Sequence, residues 1–307
     1  MLGKQISDSV VNIEGTHARQ YSQAAQKLLK PLLEDSRFPL NKFEKIHADN
    51  RSNLHRELER RRSAAIERSA EDGASLTHKI HQQAEASERL KALNVSADSL
   101  AVNPFRITLN QPSSIVPPSG LSLAGSHFEP YNTWAKIRTG STEPGGANKE
   151  LCFLFLWTNP ADTFAVVNVS SPLVAHGHCF VGDNGGFWPA DRGANIEVGA
   201  SLHTWSDDSA GPQAADDYWP IDKIAVSTGG FFDVGALMDE TFARARVVER
   251  DLVQVPGRGT LKVKVCLQIM YNVADDSVAD VDFASGDFKA SCPFVTLNFL
   301  TAPPMLT

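Results

Sequence analysis

The sequence predicts an α+β protein with its two kinds of structure segregated along the chain. Residues 1–98 are expected to form a helical hairpin or coiled-coil-like association region. Residues 99–307 are expected to form an antiparallel β-sandwich of jelly-roll type. Three observations predict this. Beyond residue 98 lie 15 of the 17 prolines, all 5 tryptophans and 14 of the 16 phenylalanines. Charge divides at the same place: residues 1–98 carry 16 Lys and Arg against 14 Asp and Glu, and the remainder carries 13 against 22. The net charge of -7 thus joins a nearly neutral part to an acidic one. The spacing of apolar residues also changes, from helical intervals to strand alternation.

Residues 22–33 are rich in Ala, Gln, Lys and Leu, all strong helix formers. Pro31 and Pro39 end or kink this first helix near residues 30–35. A second helical segment spans 41–93, free of proline and interrupted only by Gly73, which marks a hinge at 70–75. Its apolar points are Leu54, Leu58, Ile66, Leu76, Ile80, Leu90 and Leu93. Glu57/Arg61 and Glu85/Arg89 add i,i+4 pairs of about 0.2–0.5 kcal/mol each. So thin a stripe is marginal in isolation, because most helix stability comes from packing. The segment therefore needs the first helix, a second copy or a partner. This predicts a homo-oligomer or larger assembly held through the N-terminal helices.

The remainder reads as strands. Residues 151–157 form a continuous apolar run, short and aromatic, as in a strand buried on both faces. Residues 163–169, 196–202 and 261–271 alternate, the last placing Val263, Val265, Leu267 and Ile269 on one face. Further candidates are 105–109, 133–138, 224–227, 247–255, 278–283 and 294–299, separated by Gly, Pro, Asn and Asp turn signals. Strands without intervening helical patterns imply a sandwich.

Chemistry is sparse. The sequence has no phosphate-binding Gly-rich loop, no His-Glu-x-x-His and no Gly-x-Ser-x-Gly elbow. The acidic balance and the absence of interleaved basic and aromatic residues argue against nucleic acid. No apolar run is long enough for a transmembrane helix. The first residues lack the apolar core of a secretory signal, which predicts a cytoplasmic protein or one exported without a classical signal peptide.

Two clusters stand out. The acids Asp207 and Asp208 lie beside Trp205, Tyr218 and Trp219. Such a loop suits a glycan, with an aromatic face on the sugar and carboxylates on its hydroxyls. With Asp216, Asp217 and Asp222 the same stretch also suggests calcium, as does a second acidic group of Asp275, Asp276, Asp280, Asp282 and Asp287. The other cluster is His176-Gly177-His178, followed by Asp183. Residues two apart on a strand share a face, so both imidazoles can meet one transition metal. This spelling resembles the first metal motif of cupins over about eight residues. It departs from that motif in having Asp183 for the acid, Ser170 at the upstream glycine position and no second motif. The resemblance implies a cupin-like metal enzyme.

Cys152 and Cys266 lie in expected strands and read as free buried thiols, whereas Cys179 and Cys292 are the candidates for pairing. Arg60, Arg61 and Arg62 spread around a helix rather than forming a stripe, which predicts a solvated or partner-facing surface. Asn94 and Asn168 open glycosylation spellings. The leading functional expectation is a non-enzymatic structural or binding protein without a cofactor. Its alternatives are the metal enzyme and a toxin-like membrane-active or receptor-binding protein.

Overall fold

A computed structural model describes residues 49, 52–68, 106–183, 185–186, 192–206, 218–228 and 233–300. Among these residues the apolar alternation produces strands β1 (Arg106–Leu109), β2 (Ser114–Val116), β3 (Gly125–Glu129), β4 (Asn132–Lys136), β5 (Arg138–Ser141), β6 (Gly145–Thr158), β7 (Ala165–Asp183) and β8 (Gly185–Gly186). They are followed by β9 (Arg192–Ser206), β10 (Tyr218–Thr228), β11 (Asp233–Val234), β12 (Leu237–Val255), β13 (Thr260–Val273), β14 (Ser277–Asp282), β15 (Lys289–Ser291) and β16 (Val295–Phe299). One helix, α1 (52–68), accompanies them.

The strands form a five-stranded sheet in the order β10-β9-β13-β6-β2, a larger curled sheet built on β7 and a two-stranded β8/β11 pair. Strand β7 is a spine. Antiparallel β12 runs along one of its edges, while β16, β15 and β14 succeed one another along the other. The inner faces meet in a single core. Leu151, Phe153 and Phe155 of β6 and Val263, Val265 and Ile269 of β13 join Val167, Leu173 and Val181 of β7 there. Alternation in β13 matches its expected register. Strand β6 departs from the continuous-burial reading, since Leu156 is 45% exposed while Phe155 is fully buried.

The fold-class expectation is corrected on its helical half. The described residues are predominantly β, sandwich-like, and contain no helical hairpin or coiled coil. The expected helix at 22–33 and most of the 41–93 segment lie outside the described residues. The physical reason is visible in α1. Leu54, Leu58, Arg62 and Ala65 are its buried positions, spaced four, four and three residues apart. That stripe faces the large sheet, where Leu54 and Leu58 form a small core with Phe180 and Val278. Gly182 and Gly286 leave room for the helix. A Cβ at Gly182 would come within 2.6 Å of Leu54 Cδ1, and one at Gly286 within 2.8 Å of Ile66 Cγ2. For Leu54, Leu58 and Ile66, the described part of the stripe, the packing partner is the sandwich itself.

Candidate functional site

A cleft of about 280 Å³ opens between the end of β9 and the end of β12, lined by Thr204, Trp205, Ser206 and residues 250–254. It exists because β12 is irregular. Its register against β7 shifts between Arg250 and Val253, as a β-bulge requires. Leu252 in this bulge has a left-handed backbone, φ 56°, which is costly for a bulky residue. The strained turn is held by Asn168 of β7, whose Oδ1 accepts the Leu252 N–H at 2.9 Å. The glycosylation spelling at Asn168 therefore lies inside a strand, with its amide oxygen engaged. Asn94 lies outside the described residues.

Of the glycan-loop residues read from sequence, Trp205 borders this cleft, partly buried and paired in register with Lys262. Asp207 and Asp208 lie outside the described residues. Tyr218 covers Gly199, where a Cβ would come within 2.1 Å of its ring. Burial, reinforced by the Glu197 carboxylate, pushes its phenol upward. Trp219 packs against the core. The cleft residues that sequence reasoning did not assign to a site are Thr204, Ser206, Arg250, Asp251, Leu252, Val253 and Gln254. For 250–254 the signal was the charged pair Arg250-Asp251, which interrupts the alternation of 247–255.

His176 and His178 do share the outer face of β7, beneath α1. Both are buried, and Phe288 packs edge-on to His176 at 5.1 Å and stacks on His178 at 6.5 Å. His178 Nδ1 meets Thr241 Oγ1 at 3.0 Å, whereas its buried Nε2 has no hydrogen-bond partner. Burial drives this imidazole below its ordinary pKa, and nearby Asp239, Asp280 and Asp282 oppose the shift. Strand alternation places Asp183 on the opposite face, and the ligand atoms of these three residues do not converge within 4.8 Å. The carboxylates on the histidine face are Asp280 and Asp282, each two residues from the next along β14, with Asp282 paired in register with His178.

Those carboxylates are engaged by guanidinium groups. Arg62, 5% exposed, lies 2.8 Å from Asp280 and 3.3 Å from Asp282. Arg138 approaches Asp280 at 3.0 Å, and Arg61 pairs with Asp239. Asp282 also accepts the backbone N–H groups of Ala284 and Ser285 at 2.7 and 2.9 Å. Of the solvated or partner-facing surface expected for the arginine run, Arg60 is solvated, whereas the docking of α1 carries Arg62 into the interface with the sheet.

The cysteine reading is reversed. Cys152 and Cys266 occupy opposed positions on β6 and β13, with Cα atoms 4.1 Å apart, and form a disulfide. Cys179 and Cys292 are free and buried. Burial pushes the Cys292 thiol up to about 12, and its contact with Ser171 Oγ at 3.2 Å opposes that shift. Each sequence position alone reads as a small hydrophobe. Only the strand register identifies the pair.

No helix among the described residues is long and apolar enough to cross a membrane. No family model and no curated protein matches the chain. Among solved structures, TmCBM61 in complex with β-1,4-galactotriose is 12% identical over 62% of this chain and 91% of its own, with a TM-score of 0.18. The Eiger TNF of S. frugiperda is 9% identical over 48% and 92%, TM-score 0.15. A structure of the infectious bursal disease virus Gx strain is 13% identical over 66% and 43%, TM-score 0.14. Likenesses at these scores support no inference about ligand or partner.

Proposed function

We propose that this protein is a non-enzymatic recognition protein whose β-sandwich binds a carbohydrate in the cleft beside Trp205. The supporting observation is the composition of that cleft. A partly buried indole stands with the hydroxyls of Thr204 and Ser206, the guanidinium of Arg250, the carboxylate of Asp251 and the amide of Gln254. An aromatic face covers the apolar side of a sugar ring, and the polar groups match its hydroxyls. The volume lies just below the roughly 300–1,000 Å³ of small-molecule sites, so it suits a short ligand or the end of a longer one. Trp205→Ala should abolish binding on a glycan array and in titration calorimetry without changing the thermal midpoint. Unchanged binding, or no glycan bound by the parent protein, refutes this reading.

A second reading is assembly through an apolar surface at the start of β7. Phe164, Leu252 and Leu300 are 64%, 67% and 51% exposed. Phe164 precedes Ala165, and the Leu252 and Leu300 N–H groups bond to Asn168 and Val166. Apolar groups gathered in this way mark interaction surfaces. Light scattering should show an oligomer that Leu252→Asp reduces to smaller species. A monomeric parent protein refutes it.

A further inference from the structure

On the outer face of the five-stranded sheet, Glu150, Cys152 and Cys266 bring a carboxylate oxygen and two sulfurs within 4.8 Å of one another. Three features make this more than a chance neighbourhood. The cysteines are opposed in register, so the backbone itself aims both sulfurs at one point. Both residues are at most 1% exposed. The carboxylate is engaged by its neighbours, with its Oε2 4.0 Å from Cys152 Sγ. Lys264 Nζ donates to Glu150 Oε2 at 3.2 Å and Gln268 Nε2 to Oε1 at 3.4 Å, while Gln268 also donates to Ser201 Oγ at 2.9 Å. Such outer partners orient metal ligands.

We propose that Cys152, Cys266 and Glu150 form a redox-gated site for a thiophilic divalent cation such as zinc, closed by the disulfide and opened by its reduction. A dithiol opens it. Two electrons and two protons pass to the Cys152–Cys266 bond, giving two thiols, and the dithiol closes to its own disulfide. The cation then displaces both thiol protons and binds two thiolates and the Glu150 carboxylate, leaving water as the fourth ligand of a tetrahedron. Thiolate donors select zinc over magnesium or calcium. Lys264 sits beside Glu150 and must release it when the cation arrives. Cys179 and Cys292 lie apart from the set.

Cobalt(II) serves as the probe, because thiolate ligation gives it an intense near-ultraviolet charge-transfer band. Full-length protein is reduced with a phosphine, freed of reductant without air and titrated with cobalt, then with zinc. The reduced protein should bind one equivalent with a two-thiolate band that zinc abolishes, and the oxidised protein should show none. Cys152→Ser should remove the band, and Glu150→Gln should weaken binding by about tenfold or more. If reduction unfolds the chain, one equivalent of zinc should restore its circular dichroism. No band or restored fold, or binding that survives Cys152→Ser, overturns the site. Unchanged affinity in Glu150→Gln overturns the carboxylate's part.

Discussion

His178 shows how a residue's chemistry is set by what covers it. Its neutral form suits a buried pocket beside Phe288, so its folded-state pKa lies below the ordinary 6.5. The unfolded chain then takes up a proton that the folded one resists. The stabilising contribution is complete above the ordinary pKa and is lost as pH falls through it toward the folded value. Denaturant midpoints at about pH 7.5 and about pH 5.5 should therefore differ, with the acid value lower, and His178→Gln should shrink the difference. An equal pH dependence in the variant would dissociate the effect from this residue. The sequence placed His176 and His178 on one face of a strand. It could not show that Phe288, Asp280 and Arg62 would surround them, because these come from positions more than a hundred residues away in either direction.

At the scale of elements, α1 is held by a short apolar stripe and a buried ion-pair set. Arg62 joins Asp280 and Asp282 in a site where Asp282 is fully buried. Removing one partner of such a set leaves uncompensated buried charge, at a cost of about 3–5 kcal/mol. Arg62→Ala should lower unfolding stability by that amount or release α1, which amide exchange across 52–68 would detect. Arg61→Ala, whose side chain is 29% exposed, should cost less than about 1 kcal/mol. Equal effects would mean that burial of the charge is not what matters. Helical spacing at Leu54, Leu58 and Ile66 was legible, and so was the need for a packing partner. That the partner is a sheet with glycine notches at Gly182 and Gly286 was not, since nothing local to α1 records it.

For the whole molecule, the disulfide joins positions 114 residues apart. A closed loop of that size restricts the unfolded chain strongly, a contribution of about 4–5 kcal/mol in the chain-entropy description. Reduction should lower the urea midpoint accordingly, while Cys179→Ala with Cys292→Ala should leave the redox difference intact. A reduced protein of unchanged stability would assign the bond no role in holding the fold. The antiparallel frame distributes the rest of the stability. Strand β7 alone carries β12, β14, β15 and β16, and its inner face contributes to the common core.

The sequence by itself determined the β character of the described residues from 106 onward, the apolar faces of strands such as β13 and the helical phase of Leu54 and Leu58. These are local properties, carried by spacings of two and of three to four residues. Tertiary structure alone decided that Cys152 meets Cys266, that Arg62 is buried against Asp280 and Asp282, and that Trp205 faces the bulge at Leu252. Each is a meeting of distant segments, set by strand register and sheet packing, and local periodicity holds no record of which strand lies beside which.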